Sequence, residues 1–241
     1  VIYDRADSAI TKASPEEFDF DSVFENADLF HVSGITPVLS PNARDITFAA
    51  LKSAKKHSVC ISFDLNYRAK LWTENVEEKQ QMLREMIRYA DICFGNARDA
   101  AKCLGYCEKG VDFIHGDYSI CVDETHMINV VKEYNLKYLI TTLRDSISAS
   151  DNGWSAAVCD GHTLYRGKQY KLHIVDRVGG GDSFASGFLH GIVSGMTMEN
   201  SLEFAIAAAA IKHTIPGDIN YITETEILSL MNSDGSGRVQ R

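Results

Sequence analysis

Three consecutive glycines, Gly179, Gly180 and Gly181, run into Asp182 and then into an apolar, small-residue stretch, Ser183-Phe184-Ala185-Ser186-Gly187-Phe188-Leu189. Glycines let a backbone turn its N–H groups toward one point. A helix starting there adds the positive end of its dipole, so such a loop seats a phosphate or a developing anion. Asp182 at that mouth has two readings. It can start the helix by satisfying orphan N–H groups, or it can act as a general base beside an anion hole, the pairing that phosphoryl transfer to a hydroxyl needs. The spacing is neither the Gly-x-Gly-x-x-Gly of a dinucleotide turn nor the Gly-x-x-x-x-Gly-Lys-Ser/Thr of a Walker loop.

Other groups sit where chemistry could gather. Asp64-Leu65-Asn66-Tyr67-Arg68 follows an apolar run; Arg68 can grip a carboxylate or phosphate with two parallel bonds, or it can pair with a surface acid while Asp64 and Asn66 order the turn. Tyr3 and Arg5, two apart on an alternating stretch, point to one face of a strand, which is either a solvated edge or an aromatic-and-cation contact. Asn96 with Asp99 reads as a helix cap with an acidic first turn. Thr142, Arg144 and Ser146 lie in a hydroxyl-rich loop, and Pro216-Gly217-Asp218 has the residues of a turn. The eight histidines show no paired metal spacing.

Those residues need a scaffold, and the pattern supplies one. Short apolar runs, Leu29–Ile35, Val59–Asn66, Ile92–Gly95 and Tyr138–Leu143, read as buried parallel strands. Helices are expected between them, from Ser14-Pro15, from Ser40-Pro41 to about His57, from about Val76 to Tyr89, from Asn96 to Leu104 with a stop at Gly105, and up to Tyr134. Val1 to Thr11 reads as a strand. Trp154–Val158 and Leu164–Leu172 read as paired strands turning at Asp160-Gly161. The glycine loop's helix is expected to run to about Ser194, and an alanine-rich helix from Glu199 to about His213. Such alternation predicts an α/β fold, a mostly parallel sheet with helices on both faces, whose ligands sit beyond the carboxyl ends of the strands.

Composition bounds the rest. The 241 residues are 45% hydrophobic and 24% charged, enough to bury a core in one domain, expected over residues 1–230, with 231–241 an unfolded polar tail. A net charge of −9 argues against nucleic acid or an anionic membrane as a partner. Six scattered cysteines form no Cys-x-x-Cys pair and read as reduced thiols of a cytoplasmic protein. No apolar run reaches membrane-spanning length.

The stretch from Asp176 to Gly187 resembles the carboxy-terminal signature of the ribokinase-like carbohydrate kinases (the phosphofructokinase-B family), Asp-Thr-x-Gly-Ala-Gly-Asp-x-Phe, through Asp176, Gly179, Gly181, Asp182, Phe184 and Gly187. Arg177 and Gly180 depart from it in the manner of the 2-keto-3-deoxygluconate kinase branch. The resemblance extends from Val1 to about Glu226 and implies a three-layer α/β/α sandwich with the remnant of a β lid at the amino terminus. It implies ATP and Mg2+ as cofactors and a sugar acid as substrate, phosphorylated to 2-keto-3-deoxy-6-phosphogluconate, with Asp182 as general base and Gly179, Gly180 and Gly181 as anion hole. Tyr3, Arg5, Arg68 and Asp218 become sugar contacts. Asn66, Tyr67, Arg68, Asn96, Thr142, Arg144 and Ser146 become nucleotide contacts, and Asp99, in place of the family's Glu, an indirect metal contact. The family pattern also places a further segment before Val1. Without it, the alternatives are a kinase of another sugar such as fructose, or a non-catalytic relative that pairs with another chain; a homo-oligomer is compatible with either.

Overall fold

A computed structural model describes Arg5 and residues 7–105, 124–148 and 150–233. The chain divides into two compact units, one of Val1–Ile140 with Cys159–Thr163, the other of Thr141–Val158 with Leu164–Arg241.

In the first unit, two short helices, α1 (Ala9–Lys12) and α2 (Phe20–Phe24), precede a regular alternation: β1 (Leu29–Ser33), α3 (Pro41–Lys56), β2 (Cys60–Asp64), α4 (Val76–Ile87), β3 (Ile92–Phe94), α5 (Ala97–Leu104), α6 (Glu124–Tyr134) and the start of β4 (Tyr138–Ser146). Strands β1 to β4 lie side by side in chain order and parallel, with Leu29 opposite Cys60, Ser62 opposite Ile92 and Ile92 opposite Tyr138. Ile61, Ser62 and Phe63 are all fully buried, as a strand covered on both faces must be; the Ser62 hydroxyl meets His31 Nδ1 at 2.9 Å. Helix α3 starts where Ser40 Oγ accepts the Ala43 N–H and Pro41 takes the first position, and it buries Ile46, Ala50, Leu51 and Ala54. The ladder runs one step past each strand: Gly34 N–H donates to the Asp64 carbonyl, Leu65 N–H to that of Phe94, and Gly95 N–H to that of Ile140. The carboxyl ends of β1, β2 and β3 are therefore level, while β4 runs on beyond them, and the segments carrying Asn66 and Asn96 leave the sheet along one edge.

The second unit holds the rest of β4, then β5 (Asp151–Cys159), β6 (Leu164–Arg166), β7 (Tyr170–His173) and the helices α7 (Gly180–Val193), α8 (Met198–Lys212) and α9 (Glu224–Met231). Strand β5 is antiparallel to β7, with Asp151 opposite His173 and Trp154 opposite Tyr170, and is buried along Asn152–Val158. Helices α7 and α8 approach closely because small residues face each other; a methyl on Gly187 would sit 2.9 Å from Ala205 Cα. Helix α9 covers Phe204, Ala207 and Ala208 with Ile227.

Several boundaries differ from expectation. At its carboxyl end the strand expected over residues 1–11 is instead the helical turn Ala9–Lys12, while residues 1–4 and 6, with the expected lid remnant, lie outside the described residues. The helix expected from Ser14-Pro15 is one 3-10 turn, Pro15–Glu17, because Asp19 Oδ1 accepts the Ser22 N–H and starts α2 afresh. The strand expected over Leu164–Leu172 is broken. The ladder ends at Gly167, whose N–H still donates to the Ala156 carbonyl while its own carbonyl accepts from Ser155 Oγ, and Lys168 N–H donates to the Glu203 carboxylate. Sequence reading gave no helix at α9, although Thr223 and Glu226 cap each other reciprocally there. Met231, expected in the tail, ends α9; residues 234–241 and the connector 110–122 lie outside the described residues. Cys60, Cys93, Cys103 and Cys159 are free thiols, and burial pushes the pKa of each above the usual thiol value. Among the described residues, no helix is long and apolar enough to cross a membrane.

Candidate active site

The glycine turn folds as its composition dictates, but its three glycines do different things. Gly179 is the residue before the helix, with φ 74° in the left-handed region that glycine enters without strain. A methyl there would meet the Asp218 carbonyl oxygen at 2.8 Å. Gly180 opens α7 pressed against the His213 ring, 2.7 Å from Cε1 to where a methyl would be. Gly181 has nothing within 4 Å on that side and is open to solvent. Gly180 N–H donates to the Arg177 carbonyl at 3.3 Å, and the first bond inside the helix runs from Ser183 N–H to the Gly179 carbonyl at 2.8 Å. The N–H groups of Gly181 and Asp182 have no helical carbonyl to meet.

Asp182 follows in the first turn, exposed. Its carboxylate makes no capping bond, and among the described residues no hydrogen bond or ion pair engages it. Asp176, by contrast, is fully used: Oδ1 accepts from Val178 N–H at 3.0 Å and Oδ2 from Gly217 N–H at 2.8 Å. These bonds hold its pKa below the usual carboxylate value.

A cleft of about 380 Å³ opens along α7 beside this turn. Its polar wall carries Asp182, Ser183, Asp218 and Asn220, and its apolar wall includes Phe204 and Ile222. Asn220 Nδ2 donates to Ser183 Oγ at 2.7 Å. Behind the turn, His213 is 1% exposed and lies 4.8 Å from the Trp154 ring, centroid to centroid. Its Nδ1 donates to the Ala209 carbonyl at 2.6 Å, and burial lowers its pKa, which keeps the ring neutral. The Arg144 guanidinium lies 5.8 Å over the same Trp154 ring. Partial desolvation, then Arg177 nearby, lowers its pKa, yet a guanidinium stays charged.

The strand edge of the first unit gathers a second set. Asn66 sits in the left-handed region at φ 46°, donates its N–H to Asp64 Oδ1 at 3.1 Å and its Nδ2 to Ser33 Oγ at 3.1 Å; the pair does order the turn. Arg68 is exposed and donates to the Tyr67 carbonyl. Tyr67 lies 5.7 Å from the Trp72 ring and under the Arg98 guanidinium. Asn96 and Asp99 form a reciprocal cap: Asn96 Oδ1 accepts the Asp99 N–H at 3.0 Å, and Asp99 Oδ2 accepts the Asn96 N–H at 3.3 Å. Desolvation lifts the Asp99 carboxyl to about 6, against the opposing pull of the Asn96 N–H, Arg68 and Arg98.

The structure thus brings Gly179, Gly180, Gly181, Asp182 and Asp218 together in the second unit, with Thr142 and Arg144 on β4 of that unit, and Asn66, Tyr67, Arg68, Asn96 and Asp99 along one edge of the first. Tyr3 lies outside the described residues; Arg5 lies within them, half-buried. Ser146 ends β4. Sequence reasoning passed over Lys212 and His213, whose only signal was their place just before Pro216-Gly217, and Asn220, which carried none.

The chain as a whole resembles known proteins. The structure of 2-dehydro-3-deoxygluconokinase from Thermotoga maritima superposes with a TM-score of 0.86 at 40% identity, covering 96% of this chain and 68% of that one. The 2-dehydro-3-deoxygalactonokinase of Haloferax volcanii is 30% identical over 98% of this chain and 67% of its own length. A putative Ribokinase II from E. coli in complex with ATP and Mg2+ superposes at a TM-score of 0.74 with 19% identity, over 95% of this chain and 66% of that one, and attests to the shared fold. The chain spans about two thirds of the length of each of these relatives. The family model for pfkB carbohydrate kinases matches residues 1–225, a span that takes in the glycine turn, the free acid and the parallel strands alike, and the chain belongs to that family of ribokinase-like α/β proteins.

Proposed function

We propose that this chain carries the phosphoryl-transfer site of an ATP-dependent kinase acting on a 2-keto-3-deoxy sugar acid, 2-keto-3-deoxygluconate first among them. The observation behind the proposal is the unengaged Asp182 carboxylate, one residue past an open Gly181 in the first turn of α7. An acid that merely starts a helix spends its oxygens on the first N–H groups, and this one does not. In the proposed reaction Asp182 takes the proton of the terminal sugar hydroxyl, the oxygen forms its bond to the γ-phosphorus, and the bond to the β,γ-bridging oxygen breaks to leave ADP. Gly179, Gly180 and Gly181 form the anion hole, in which the N–H of Gly181, with that of Asp182, meets the charge that builds on the transferred group while Gly180 fixes the turn. Mg2+ bound with ATP would supply charge that neutralises the phosphates, and Asp99 would hold it only indirectly, on the family resemblance alone.

Arg144, Thr142 and Ser146 are proposed nucleotide contacts, as are Asn66, Tyr67 and Asn96. Arg68, with Arg5 and Tyr3, is proposed to select an acid sugar, because a carboxylate gives a guanidinium a bidentate partner that a neutral sugar lacks. Asp218 is proposed to touch the sugar. The relatives named above act, by their names, on two epimeric acids, so the epimer is open within this proposal. The second reading is a non-catalytic relative that binds ligand in company with another chain.

The test is a coupled ADP-release assay on the full chain with ketodeoxygluconate, fructose and ribose. Turnover with the acid, lowered in Asp182→Ala by about 10²–10⁴ with ADP affinity within a few-fold of the parent, is the expected result. Turnover by Asp182→Ala at the parent's rate refutes the assignment of the base. ADP binding without turnover on any sugar favours the second reading.

A further inference from the structure

Lys212, the last residue of α8, is among the largest fully buried side chains in the protein, 0% exposed. Its ammonium has no carboxylate within ion-pair distance among the described residues; it donates instead to the carbonyls of Ile215 and Gly217, at 3.2 and 2.8 Å. Burying an ammonium without a direct ion pair is costly, so what it bonds to is informative. What it holds is a turn clamped from both sides. Gly217, at φ 85°, gives its carbonyl to Lys212 and its N–H to Asp176. The Val175 and Asp176 N–H groups donate to the His213 carbonyl at 2.9 and 3.3 Å. The lysine stem runs beneath the glycine turn, Cε lying 3.3 Å from where a Gly179 methyl would be, and the next carbonyl oxygen on that side is Asp218's.

We propose that Lys212 is a positioning residue: its buried ammonium, with the Asp176 carboxylate, locks the 215–218 turn to the glycine turn and so fixes the two walls of the cleft, Asp218 and the α7 N-terminus. It also places the ammonium under the N–H groups that would receive a phosphate, adding to the helix dipole without touching the ligand. The catalytic consequence rests on the proposed kinase reading; the structural lock does not.

Substitutions at Lys212, read by amide exchange, ADP affinity and turnover, separate the lock from the kinase reading. Lys212→Met keeps the stem and removes the charge and both donors. Amide exchange of Val178, Gly180 and Gly217 in this variant is expected to quicken tenfold or more, with the buried middle of α8 unchanged and ADP affinity lower. Where the parent turns over, kcat is expected to fall 10- to 100-fold with the sugar KM little moved. Lys212→Ala leaves a slot shaped for n-propylammonium, which is expected to restore slow exchange and ADP affinity in a saturable way, whereas n-propanol, of like size and uncharged, is not. Should Lys212→Met fail to fold, Asp176→Asn, which loosens the other side of Gly217, is expected to quicken the same amides. Parent-like exchange and ADP affinity in Lys212→Met overturn the proposal, as does equal rescue by n-propanol. A parent chain that phosphorylates nothing overturns the kinase reading while the exchange data still decide the lock.

Discussion

Three glycines in a row should respond to alanine in three ways, and the largest contrast is between neighbours. In Gly180→Ala the new methyl would lie 2.7 Å from His213 Cε1 and 2.8 Å from Nε2, closer than carbon and nitrogen tolerate. The ring cannot swing clear: it is 1% exposed, tied to the Ala209 carbonyl at 2.6 Å and packed on Trp154. Overpacking of this kind costs about 1–3 kcal/mol, and breaking the buried Nδ1–H bond adds about 1 kcal/mol. A chain of this size loses roughly 2–4 °C of Tm per kcal/mol, so a drop on the order of 5–15 °C is expected in thermal unfolding followed by circular dichroism. Gly181→Ala puts its methyl in open space, in a helical turn where alanine is favoured over glycine by up to about 1 kcal/mol. Its Tm should match or slightly exceed the parent's, while turnover falls at least about tenfold because the methyl crowds the anion seat. Gly179→Ala combines a left-handed φ, costing about 1–2 kcal/mol, with a methyl 2.8 Å from a backbone oxygen, and should melt as low as Gly180→Ala. If Gly180→Ala melts with the parent, or Gly181→Ala melts far below it, the packing behind this turn is not as described.

Two further outcomes bear on the first unit. The Asp99 carboxyl, lifted from 3.8 to about 6, is favoured by folding in its protonated form. The stability it contributes is fully present below pH 3.8 and is lost as pH rises through 6, by up to about 3 kcal/mol. Asp99→Asn, which keeps an acceptor for the Asn96 N–H, should flatten that slope. Urea midpoints of parent and variant should then diverge in the variant's favour from pH 4 to pH 7; parallel curves refute the desolvation account. Arg68→Ala, at an exposed position, should leave Tm within about 1 °C and raise KM for a sugar acid at least tenfold while sparing a neutral sugar; an equal effect on both removes Arg68 from acid selection.

Most of the scaffold was legible because parallel strands are buried on both faces and so read as plain apolar runs. Leu29–Ser33, Cys60–Asp64 and Ile92–Phe94 fall within the stretches that hydrophobicity marks, and Pro41 and Gly105 mark helix ends by their own backbone limits. One error arises where a side chain from far along the chain decides. Glu203 captures the Lys168 N–H and splits one expected strand into β6 and β7; no local pattern announces a partner 35 residues away. Helix α1 is four residues long, too short for a 3.6-residue period to show.

At the site, the sequence showed that Asp182 followed glycines but could not separate a cap from a base, since both want an acid at a helix start. In the structure Asp182 makes no capping bond, and the proposed base role rests on that. Gly179, in the left-handed region, brings the backbone into the helix without a side-chain cap, and Asp182 spends neither oxygen on the first-turn N–H groups, which stay open. Asp176 supplies the carboxylate that the loop does need, bonded on both oxygens. One acid is thus consumed by structure and the other left free, six residues apart in one segment. That division of labour has the sequence of a single motif but opposite consequences on mutation: Asp176→Ala should loosen the turn and lower Tm, whereas Asp182→Ala should leave Tm in place and remove turnover.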